Sequence, residues 1–455
     1  MEVLTPQNKK VHLISLGCAR NRVDSEVMLG SLLENQWVVT QEPDDADAII
    51  VNTCGFIDAA KEESVNTILE AAQWKESNPS MKLVVAGCLT QRYKKKLVEG
   101  LPEVDLFVGT DEFPQIAEFL RLNNATGEMK ARRTHYLYDG SLPKKNTLSR
   151  SSAYVKVAEG CQHSCAFCII PAIRGKLRSR PIANVVREVE NLAAQGVKEI
   201  NLIAQDLAAY GRDWGSSDLL ELLKALVPIE GIEWIRLLYV YPENIDDEFI
   251  DFFASHPKIV KYLDIPVQHA SNRLLKLMNR DVTAEQLRSQ FQKLRAAVPG
   301  VAIRTSVMVG FPSENEEDFA ELKTFVEEMR FEHLGCFTYS QEEGTVAGRM
   351  AEQIEEGLKQ RRQAEIMEVQ KEISAHNLQK LIGQVLPVLI DGLSEETDLL
   401  GQGRLSIQAP EVDGLVYIND GKLTPGSIQV VEITEAHDYD LVGRIVAAPL
   451  AGELH

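Results

Sequence analysis

The stretch CQHSCAFC, residues 161–168, places three cysteines, Cys161, Cys165 and Cys168, within eight positions. It follows the apolar run AYVKVAE (153–159), which reads as a buried strand. Thiolates spaced this closely, among Gln, His and Ser, are typical of a metal site and not of core packing. No fourth cysteine follows within the next hundred residues. The spacing therefore predicts an iron–sulfur cluster held by three thiolates, with one iron left open for a ligand.

A zinc site is the main alternative for these three cysteines. His163 or a distant cysteine would complete its tetrahedral set of ligands. Most zinc sites are built from separate C-x2-C pairs, whereas here a third cysteine precedes Cys165 and Cys168 in the spacing C-x3-C-x2-C. The spacing as a whole therefore favours the iron–sulfur cluster.

The region around this motif alternates between strand and helix patterns. Helical segments such as NVVREVENLAAQG (184–196) and SDLLELLKALV (217–227) separate the strands. The five strand candidates that follow the first are KEINLIA (198–204), EWIRLLY (233–239), KYLDIP (261–266), AIRTSVMV (302–309) and EHLGCFTY (332–339). Alternation of this kind predicts an α/β fold with a parallel sheet. Six βα units are too few to close an eight-stranded barrel, so we expect a partial (βα)6 barrel.

The N-terminal part of the chain predicts a second parallel α/β domain. Its three clearest strands are VHLISL (11–16), ADAIIVN (46–52) and KLVVAG (82–87). A cysteine lies at, or within two residues of, the end of each strand: Cys18, Cys54 and Cys88. The carboxyl ends of parallel strands meet at one edge of a sheet, so these thiols are expected to converge. They predict a second iron–sulfur cluster with an open iron, whereas Cys336, in an apolar strand, is expected to be a buried inert thiol.

The C-terminal part of the chain changes character. A long charged helical run (349–381) is followed by short strands broken by Gly, Pro and Asp, which predict a small all-β barrel. We expect an N-terminal domain over 1–138, a linker over 139–152, a central domain with its trailing helix over 153–377, and the barrel over 378–447.

Composition limits the class of protein. The 455 residues have a formal net charge of −19 and 44% hydrophobic residues, which is an ordinary globular composition. The N-terminus has no signal-peptide pattern and no run is long enough to span a membrane, so a cytoplasmic protein is expected. In that reducing compartment, seven cysteines are expected to be metal ligands or catalytic groups and not disulfides.

The motif of Cys161, Cys165 and Cys168, with Phe167 before the last cysteine, resembles that of the radical S-adenosylmethionine (AdoMet) superfamily. In that superfamily the open iron of a [4Fe–4S] cluster binds the amino and carboxylate groups of AdoMet. With the second triad and the terminal β-domain, the whole chain resembles the methylthiotransferase family. This resemblance implies an N-terminal methylthiotransferase domain, a radical AdoMet core, a C-terminal TRAM domain, two [4Fe–4S] clusters and AdoMet.

The AdoMet contacts outside the cysteines are less specific. Family members often carry a Gly-Gly-Glu-like turn after the second strand, where this chain has Ala204, Gln205 and Asp206. Gln205 and Asp206, together with Phe167, Gln268 and Gly310, are the candidate AdoMet-binding residues. Ordinary loop polarity is the alternative for each of them. Arg174 and its basic neighbours up to Arg180 either orient an anionic group or form a solvated loop.

SLGCARNRVDSE (15–26) and CIIPAIRGKLRSR (168–180) resemble the branch that modifies an aspartate of the twelfth small-subunit ribosomal protein. The related branch that modifies tRNA adenosine usually carries GCQMN, whereas this chain has Cys18, Ala19, Arg20 and Asn21 at this point. Methylthiolation of tRNA adenosine is therefore the alternative activity. The more usual residue at Arg20 is Lys, which keeps the charge.

The resemblance also implies the reaction. AdoMet is cleaved to a 5′-deoxyadenosyl radical, which removes hydrogen from the β-carbon of the aspartate. The auxiliary cluster on Cys18, Cys54 and Cys88 supplies sulfur, which a second AdoMet methylates to give 3-methylthio-aspartate. An electron donor such as a flavodoxin or ferredoxin and a sulfur source are the implied partners. An iron–sulfur electron carrier is the non-catalytic alternative, although carriers usually close all four coordination sites.

The charge of the terminal domain bears on the partner. Residues 378–455 contain four basic and twelve acidic side chains, a net charge of 4 − 12 = −8. Such a domain repels the phosphates of tRNA and attracts a basic ribosomal protein. We therefore expect tRNA to be an unlikely partner, and the domain, through residues such as Glu395, Glu396 and Asp398, to dock the ribosomal protein. Acidity that only improves solubility is the alternative.

Overall fold

The computed structural model describes residues 9–122, 127–131, 135–215, 218–242, 245–394 and 397–447. Within these ranges the chain forms two six-stranded parallel sheets, a two-stranded ribbon and a closed five-stranded barrel. The predicted α/β fold class is therefore confirmed, together with the partial barrel and the terminal β-barrel. Glu395 and Glu396 lie outside the described residues.

The first sheet has the strand order β2-β1-β3-β4-β5-β6. Its strands are β1 (Lys10–Ser15), β2 (Val38–Val39), β3 (Ala48–Thr53), β4 (Lys82–Gly87), β5 (Leu106–Val108) and β6 (Glu128–Lys130). The helices that connect them are α1 (Ala19–Glu34), α2 (Asp58–Ser77), α3 (Cys88–Tyr93), α4 (Lys95–Gly100) and α5 (Ile116–Arg121). Apolar clusters cover both faces of the sheet, because a parallel sheet buries both of its faces.

Helix α1 begins at Ala19, directly after Cys18, whereas the readable helical pattern of the sequence, DSEVMLGSLLENQ, begins at Asp24. The sequence does not show that the helix starts here, because its first turn is polar although Asn21 and Asp24 are buried and bind partners from other parts of the fold. The short strands β2, β5 and β6 were also missed, since two or three residues carry no readable periodicity.

The central sheet has the order β14-β13-β12-β11-β10-β7, with every neighbouring pair parallel. Its strands are β7 (Ser152–Lys156), β10 (Glu199–Ile203), β11 (Trp234–Leu237), β12 (Ile259–Asp264), β13 (Ala302–Val309) and β14 (His333–Thr338), and β8 (Ala158–Glu159) pairs separately with β9 (Arg178–Ser179). The helices are α6 (Ile170–Arg174), α7 (Ile182–Ala194), α8 (Leu219–Leu226), α9 (Asp247–Ser255), α10 (Asn272–Leu277), α11 (Ala284–Ala297), α12 (Glu316–Met329) and α13 (Glu356–Gln379). All six predicted strands are present, and the sheet stays open between β7 and β14.

The terminal barrel closes in the order β15-β16-β17-β19-β18, with β15 paired to β18. Its strands are β15 (Val385–Leu393), β16 (Gly401–Leu405), β17 (Val416–Asp420), β18 (Ile428–Ala436) and β19 (Leu441–Ile445). Alternate side chains such as Val388, Ile390 and Ile433 fill its interior.

The terminal barrel packs against the face of the central sheet opposite its helices. The Ser406 carbonyl accepts from Arg236 at 2.8 Å, and the Pro410 carbonyl accepts from the Tyr154 hydroxyl at 3.2 Å. Glu199 of β10 lies 2.8 Å from both Arg236 and Arg404, and all three side chains are buried. Paired charges therefore fix the barrel to the central domain.

Of the expected linker over 139–152, residues 139–151 precede β7 and contact α1, and Ser152 is the first residue of β7. Lys144 forms ion pairs with Glu26 of α1 and Glu188 of α7. A Cβ on Gly30 would lie 2.3 Å from the Pro143 carbonyl oxygen, so only glycine admits the segment at this distance. This segment is therefore packed between two domains. None of the helices in the described ranges is long and apolar enough to cross a membrane.

Candidate functional site

The three N-terminal cysteines lie at one edge of the first sheet. Cys18 is the N-cap of α1, Cys54 follows β3, and Cys88 is the first residue of α3. Their strands β1, β3 and β4 are neighbours in the sheet. A Cβ on Gly17, whose φ is +88°, would lie 3.2 Å from Cys54 Sγ. The loops that carry Cys18 and Cys54 are therefore in contact, as the convergence of parallel strands predicts.

The environments of these three thiols differ. Burial raises the pKa of Cys54 to about 12, and the neighbouring Cys88 adds to the increase. Burial also raises the pKa of Cys88, although the charge of Arg174 opposes it. Burial acts in the same direction on Cys18, but the charge of Arg20 and the backbone amides at the start of α1 outweigh it and lower its pKa. Cys18 is therefore the thiol of this triad that most readily becomes a thiolate.

The second triad lies on the loop between β8 and α6. The Cys161 amide donates to the Gly175 carbonyl at 3.1 Å, and the Cys168 amide donates to the Cys165 carbonyl at 3.0 Å. Burial raises the pKa of Cys161 to about 11 and that of Cys168 to about 12. The amide of Ala166 donates to Met278, which ties the loop to the end of α10.

Both triads suit iron–sulfur clusters that lack one protein ligand. All six cysteines are free, as is Cys336, which is buried as predicted. No three His, Cys, Asp or Glu side chains among the described residues are arranged to hold one metal ion. An iron–sulfur cluster does not require its three thiolates to meet at one metal ion, because each thiolate binds a different iron. Gln205 Oε1, near the second triad, is buried without a hydrogen-bond partner in the described structure, as expected if a ligand donor completes the site.

The residues predicted after β10 meet the cysteine loop through hydrogen bonds. Gln205 Nε2 donates to Glu159 Oε1 at 2.7 Å. Asp206 Oδ2 lies 2.7 Å from His163 Nε2, and Asp206 Oδ1 accepts from the amides of Ala208 and Tyr241. The Asp206 carboxylate thus holds His163, within the loop that carries the second triad.

The other three candidate AdoMet residues occupy different positions. Phe167 packs on a cluster that includes Phe311 and Tyr339. Gln268 has φ +71°, and its backbone pairs with β13 beside Ser306. A Cβ on Gly310 would lie 2.3 Å from Lys359 Cγ, so close packing against α13 accounts for this glycine. AdoMet contact by these residues stays a prediction.

A buried charge cluster connects the two triads. Arg174 Nη1 lies 2.6 Å from Asp24 and 3.3 Å from Glu159, and Lys156 pairs with the same two carboxylates. Arg174 Nη2 donates to Cys88 Sγ at 3.1 Å. Arg174 of the central domain therefore reaches a cysteine of the N-terminal domain. Of the two alternatives for Arg174, these buried contacts agree better with a residue that orients an anionic group than with a residue of a solvated loop.

Two of the remaining basic residues of the 174–180 segment have structural contacts. Arg180 is buried and pairs with Glu188 at 2.6 Å. Arg178 donates to the backbone carbonyls of Tyr136 and Lys176. Lys176 itself is exposed, so the solvated alternative considered from sequence holds for this residue but not for the two arginines.

Two residues between the triads were not predicted as site residues. Arg20 donates to the Ala204 carbonyl at 2.9 Å, and its guanidinium carbon lies 4.4 Å from the centre of the Tyr239 ring. Its charge acts on Cys161 and Cys168 as well as on Cys18. Tyr239 has φ +60°, which is unusual for an aromatic residue. The sequence signal for Arg20 was its place in the motif SLGCARNRVDSE, two residues after Cys18, where Lys is the more usual residue.

Family models match three parts of the chain. Residues 10–109 match the uncharacterized protein family UPF0004, residues 155–326 match the Radical SAM superfamily, and residues 382–446 match the TRAM domain. The first match contains Cys18, Cys54 and Cys88, and the second contains the other triad.

Curated relatives match almost the entire chain. It is 49% identical over 450 residues to the ribosomal protein uS12 methylthiotransferase RimO of Myxococcus xanthus, covering 99% of this chain and 94% of that protein. It is 48% identical over 455 residues to RimO of Bdellovibrio bacteriovorus, covering 98% and 99%. The chain belongs to the RimO family. RimO membership confirms the resemblance to the methylthiotransferases that the cysteine motifs indicated.

Solved structures of other radical AdoMet proteins share the fold. The methyltransferase TsrM from Kitasatospora setae, solved with cobalamin and a [4Fe–4S] cluster, aligns with a TM-score of 0.53 at 16% identity, over 73% of this chain and 75% of TsrM. OxsB, a cobalamin-dependent radical enzyme, aligns with a TM-score of 0.51 at 13% identity, over 79% of this chain and 56% of OxsB. At these identities the likeness between a RimO chain and these enzymes concerns the fold alone.

Proposed function

We propose that this protein is a radical AdoMet methylthiotransferase that adds a methylthio group to the β-carbon of an aspartate in ribosomal protein uS12. One observation carries the proposal: two separate cysteine triads lie on two domains, and Arg174 of the domain that carries the second triad donates to Cys88 Sγ of the first triad at 3.1 Å. An electron carrier has no need of two triads that each leave one iron without a protein ligand. Near-full-length identity to RimO proteins named for uS12 supports the substrate.

The residues that would hold each group follow from the two triads. Cys161, Cys165 and Cys168 would hold one [4Fe–4S] cluster, and Cys18, Cys54 and Cys88 would hold the second. Bound AdoMet and the two clusters would supply the radical chemistry and the sulfur. The buried Gln205 Oε1, which has no partner among the described residues, suits the amino group of AdoMet.

The chain itself positions the two triads. Asp24 of α1 binds both Lys156 and Arg174 of the central domain, at 2.5 and 2.6 Å. Removing one member of such a buried cluster leaves an uncompensated charge, which is costly. The charge cluster therefore fixes the position of one domain, and of its triad, against the other.

The proposed partners follow from this reaction. Ribosomal proteins are rich in Lys and Arg, so uS12 suits the acidic terminal barrel. A flavodoxin or ferredoxin would supply electrons, and a separate sulfur source would replace sulfur consumed in each turnover. A ribosomal substrate places the proposed reaction in the cytoplasm.

Anaerobic reconstitution followed by mass spectrometry tests the proposal. Reduced protein is incubated with AdoMet and either uS12 or tRNA, and both substrates are analysed for the mass of an added methylthio group. We expect the gain on one aspartate of uS12. A gain on tRNA alone would establish the tRNA alternative, and no AdoMet cleavage at all would favour an electron carrier.

A further inference from the structure

Arg20 differs from several of the buried cations around the two triads, although Arg178 and Arg280 likewise form no ion pair with a described residue: Arg178 donates to backbone carbonyls, and Arg280 donates to the Pro266 carbonyl and lies over the Tyr241 ring. Arg174, Lys156 and Arg180 each pair with one or more carboxylates. None of the ion pairs between described residues involves Arg20. Its known contacts are the Ala204 carbonyl, the Tyr239 ring and the Cys18 thiol. A half-buried guanidinium without a carboxylate partner is suited to bind an anion that comes from outside the chain.

The position of Arg20 relative to the two triads indicates which anion it binds. Arg20 lies two residues after Cys18 of the first triad, and its guanidinium donates to the Ala204 carbonyl, two residues before Asp206, whose carboxylate binds His163 of the loop that carries the second triad. In the proposed reaction, hydrogen is removed on the side of the second triad and sulfur arrives from the first. The reacting carbon must therefore lie between them, where Arg20 is.

We infer that Arg20 binds the side-chain carboxylate of the target aspartate and so places its β-carbon between the two triads. This inference rests on the proposed function. The carboxylate is bonded directly to the β-carbon, so fixing one orients the other. A planar guanidinium binds a carboxylate through two parallel hydrogen bonds, and stacking on Tyr239 fixes its plane.

The test uses binding, not turnover. The anaerobically reconstituted full-length protein, with AdoMet, is titrated with a uS12 peptide that contains the target aspartate and with the same peptide carrying Asn. We expect the wild type to bind the Asp peptide about 10- to 100-fold more tightly, as for other hydrogen bonds to charged groups. Arg20→Met should bind both peptides equally, and Arg20→Lys should keep part of the preference.

Arg22→Met is the matched control. Arg22 lies on the same helix but contacts Glu411 and Thr147, so its loss should leave the preference for Asp unchanged. An unchanged preference in Arg20→Met would overturn the inference and leave the proposed function standing. A wild type that binds neither peptide and leaves uS12 unmodified would overturn the proposed function itself.

Two further measurements, AdoMet affinity and iron content, test whether Arg20 instead binds the AdoMet carboxylate or the cluster thiolates. If Arg20→Met weakens AdoMet binding and keeps the Asp preference, the carboxylate belongs to AdoMet and the inference fails. If iron content falls, Arg20 serves as a counter-charge to the cluster thiolates and the inference fails. We expect AdoMet affinity and iron content to stay at wild-type levels.

Discussion

Arg174 Nη2 of the central domain lies 3.1 Å from Cys88 Sγ of the N-terminal domain. The same guanidinium is held by Asp24 and Glu159, so its position does not depend on the thiol alone. Hydrogen bonds to cluster sulfurs are one of the factors that set the reduction potential of an iron–sulfur cluster. This contact therefore links the geometry of the radical AdoMet domain to the proposed auxiliary cluster.

Shortening Arg174 should lower the midpoint potential of the auxiliary cluster. Arg174→Lys keeps the positive charge beside Asp24 and Glu159 but loses the reach to sulfur, so the reduced cluster is less stabilised. The potential is measured by redox titration with electron paramagnetic resonance, in protein whose other triad (Cys161, Cys165, Cys168) is replaced by Ala. Arg178→Lys is the control, because the hydrogen bonds of Arg178 to described residues all go to backbone carbonyls. An unchanged potential with an intact cluster would contradict this role.

Cysteine substitutions should separate the two triads. Reconstituted wild type should contain about eight irons, and Cys165→Ala or Cys54→Ala should each reduce this to about four. Cys165→Ala should abolish AdoMet cleavage, whereas Cys54→Ala should keep cleavage but lose methylthio transfer. Cys336→Ala, at a buried cysteine outside both triads, should keep all three properties. Normal transfer by Cys54→Ala would show that the assignment of the auxiliary cluster is wrong.

Glu199→Gln should lower the free energy of unfolding by about 3–5 kcal/mol, because it leaves Arg236 and Arg404 buried beside a neutral group. Chemical denaturation at neutral pH measures the loss. Glu233→Gln, on an exposed carboxylate shortly before β11, is the control and should change little. A loss below about 1 kcal/mol would show that the ion pairs do not hold the terminal barrel in place.

The same carboxylate should contribute to the pH dependence of stability. Burial alone would raise the pKa of Glu199, but Arg404 and Arg236 outweigh it and lower the pKa to about 2. The unfolded value is about 4.3, so Glu199 contributes its full stability above that pH and loses it as the pH falls towards 2. The difference in unfolding free energy between wild type and Glu199→Gln should therefore shrink between about pH 4.5 and pH 2. A constant difference over this range would contradict the lowered pKa.

Charge reversal on the terminal barrel should weaken binding of uS12. Asp398 and Asp420 are exposed, and neither is in an ion pair with a described residue, so Asp398→Lys with Asp420→Lys should lower the affinity most at low salt. Glu62→Lys with Glu63→Lys, on the exposed side of α2, is a charge-matched control. Equal affinity of both double variants, or tight tRNA binding by the wild type, would contradict the docking role of the barrel.

The net charge of the terminal domain, counted from the sequence, does not show which of its carboxylates are paired with cations. Asp391, Glu411, Asp413, Glu432 and Asp438 all form ion pairs, several with other domains. The partners of Asp391 and Glu432, Arg404 and Arg444, are already included in the count of −8. Glu411, Asp413 and Asp438 pair with cations outside the domain, so the surface that uS12 meets is less negative than this count indicates. Composition records charges but not their partners.

Hydrophobic periodicity and cysteine spacing are local patterns, so they were enough to predict the main strands of both parallel sheets, the terminal barrel and the two cysteine triads. Which cations reach the triads depends on how the domains pack. Arg174 and Asp24 are 150 residues apart, and Arg20 and Ala204 are 184 residues apart. No local pattern encodes such pairs, since they form only when separate domains pack and bury their charges together.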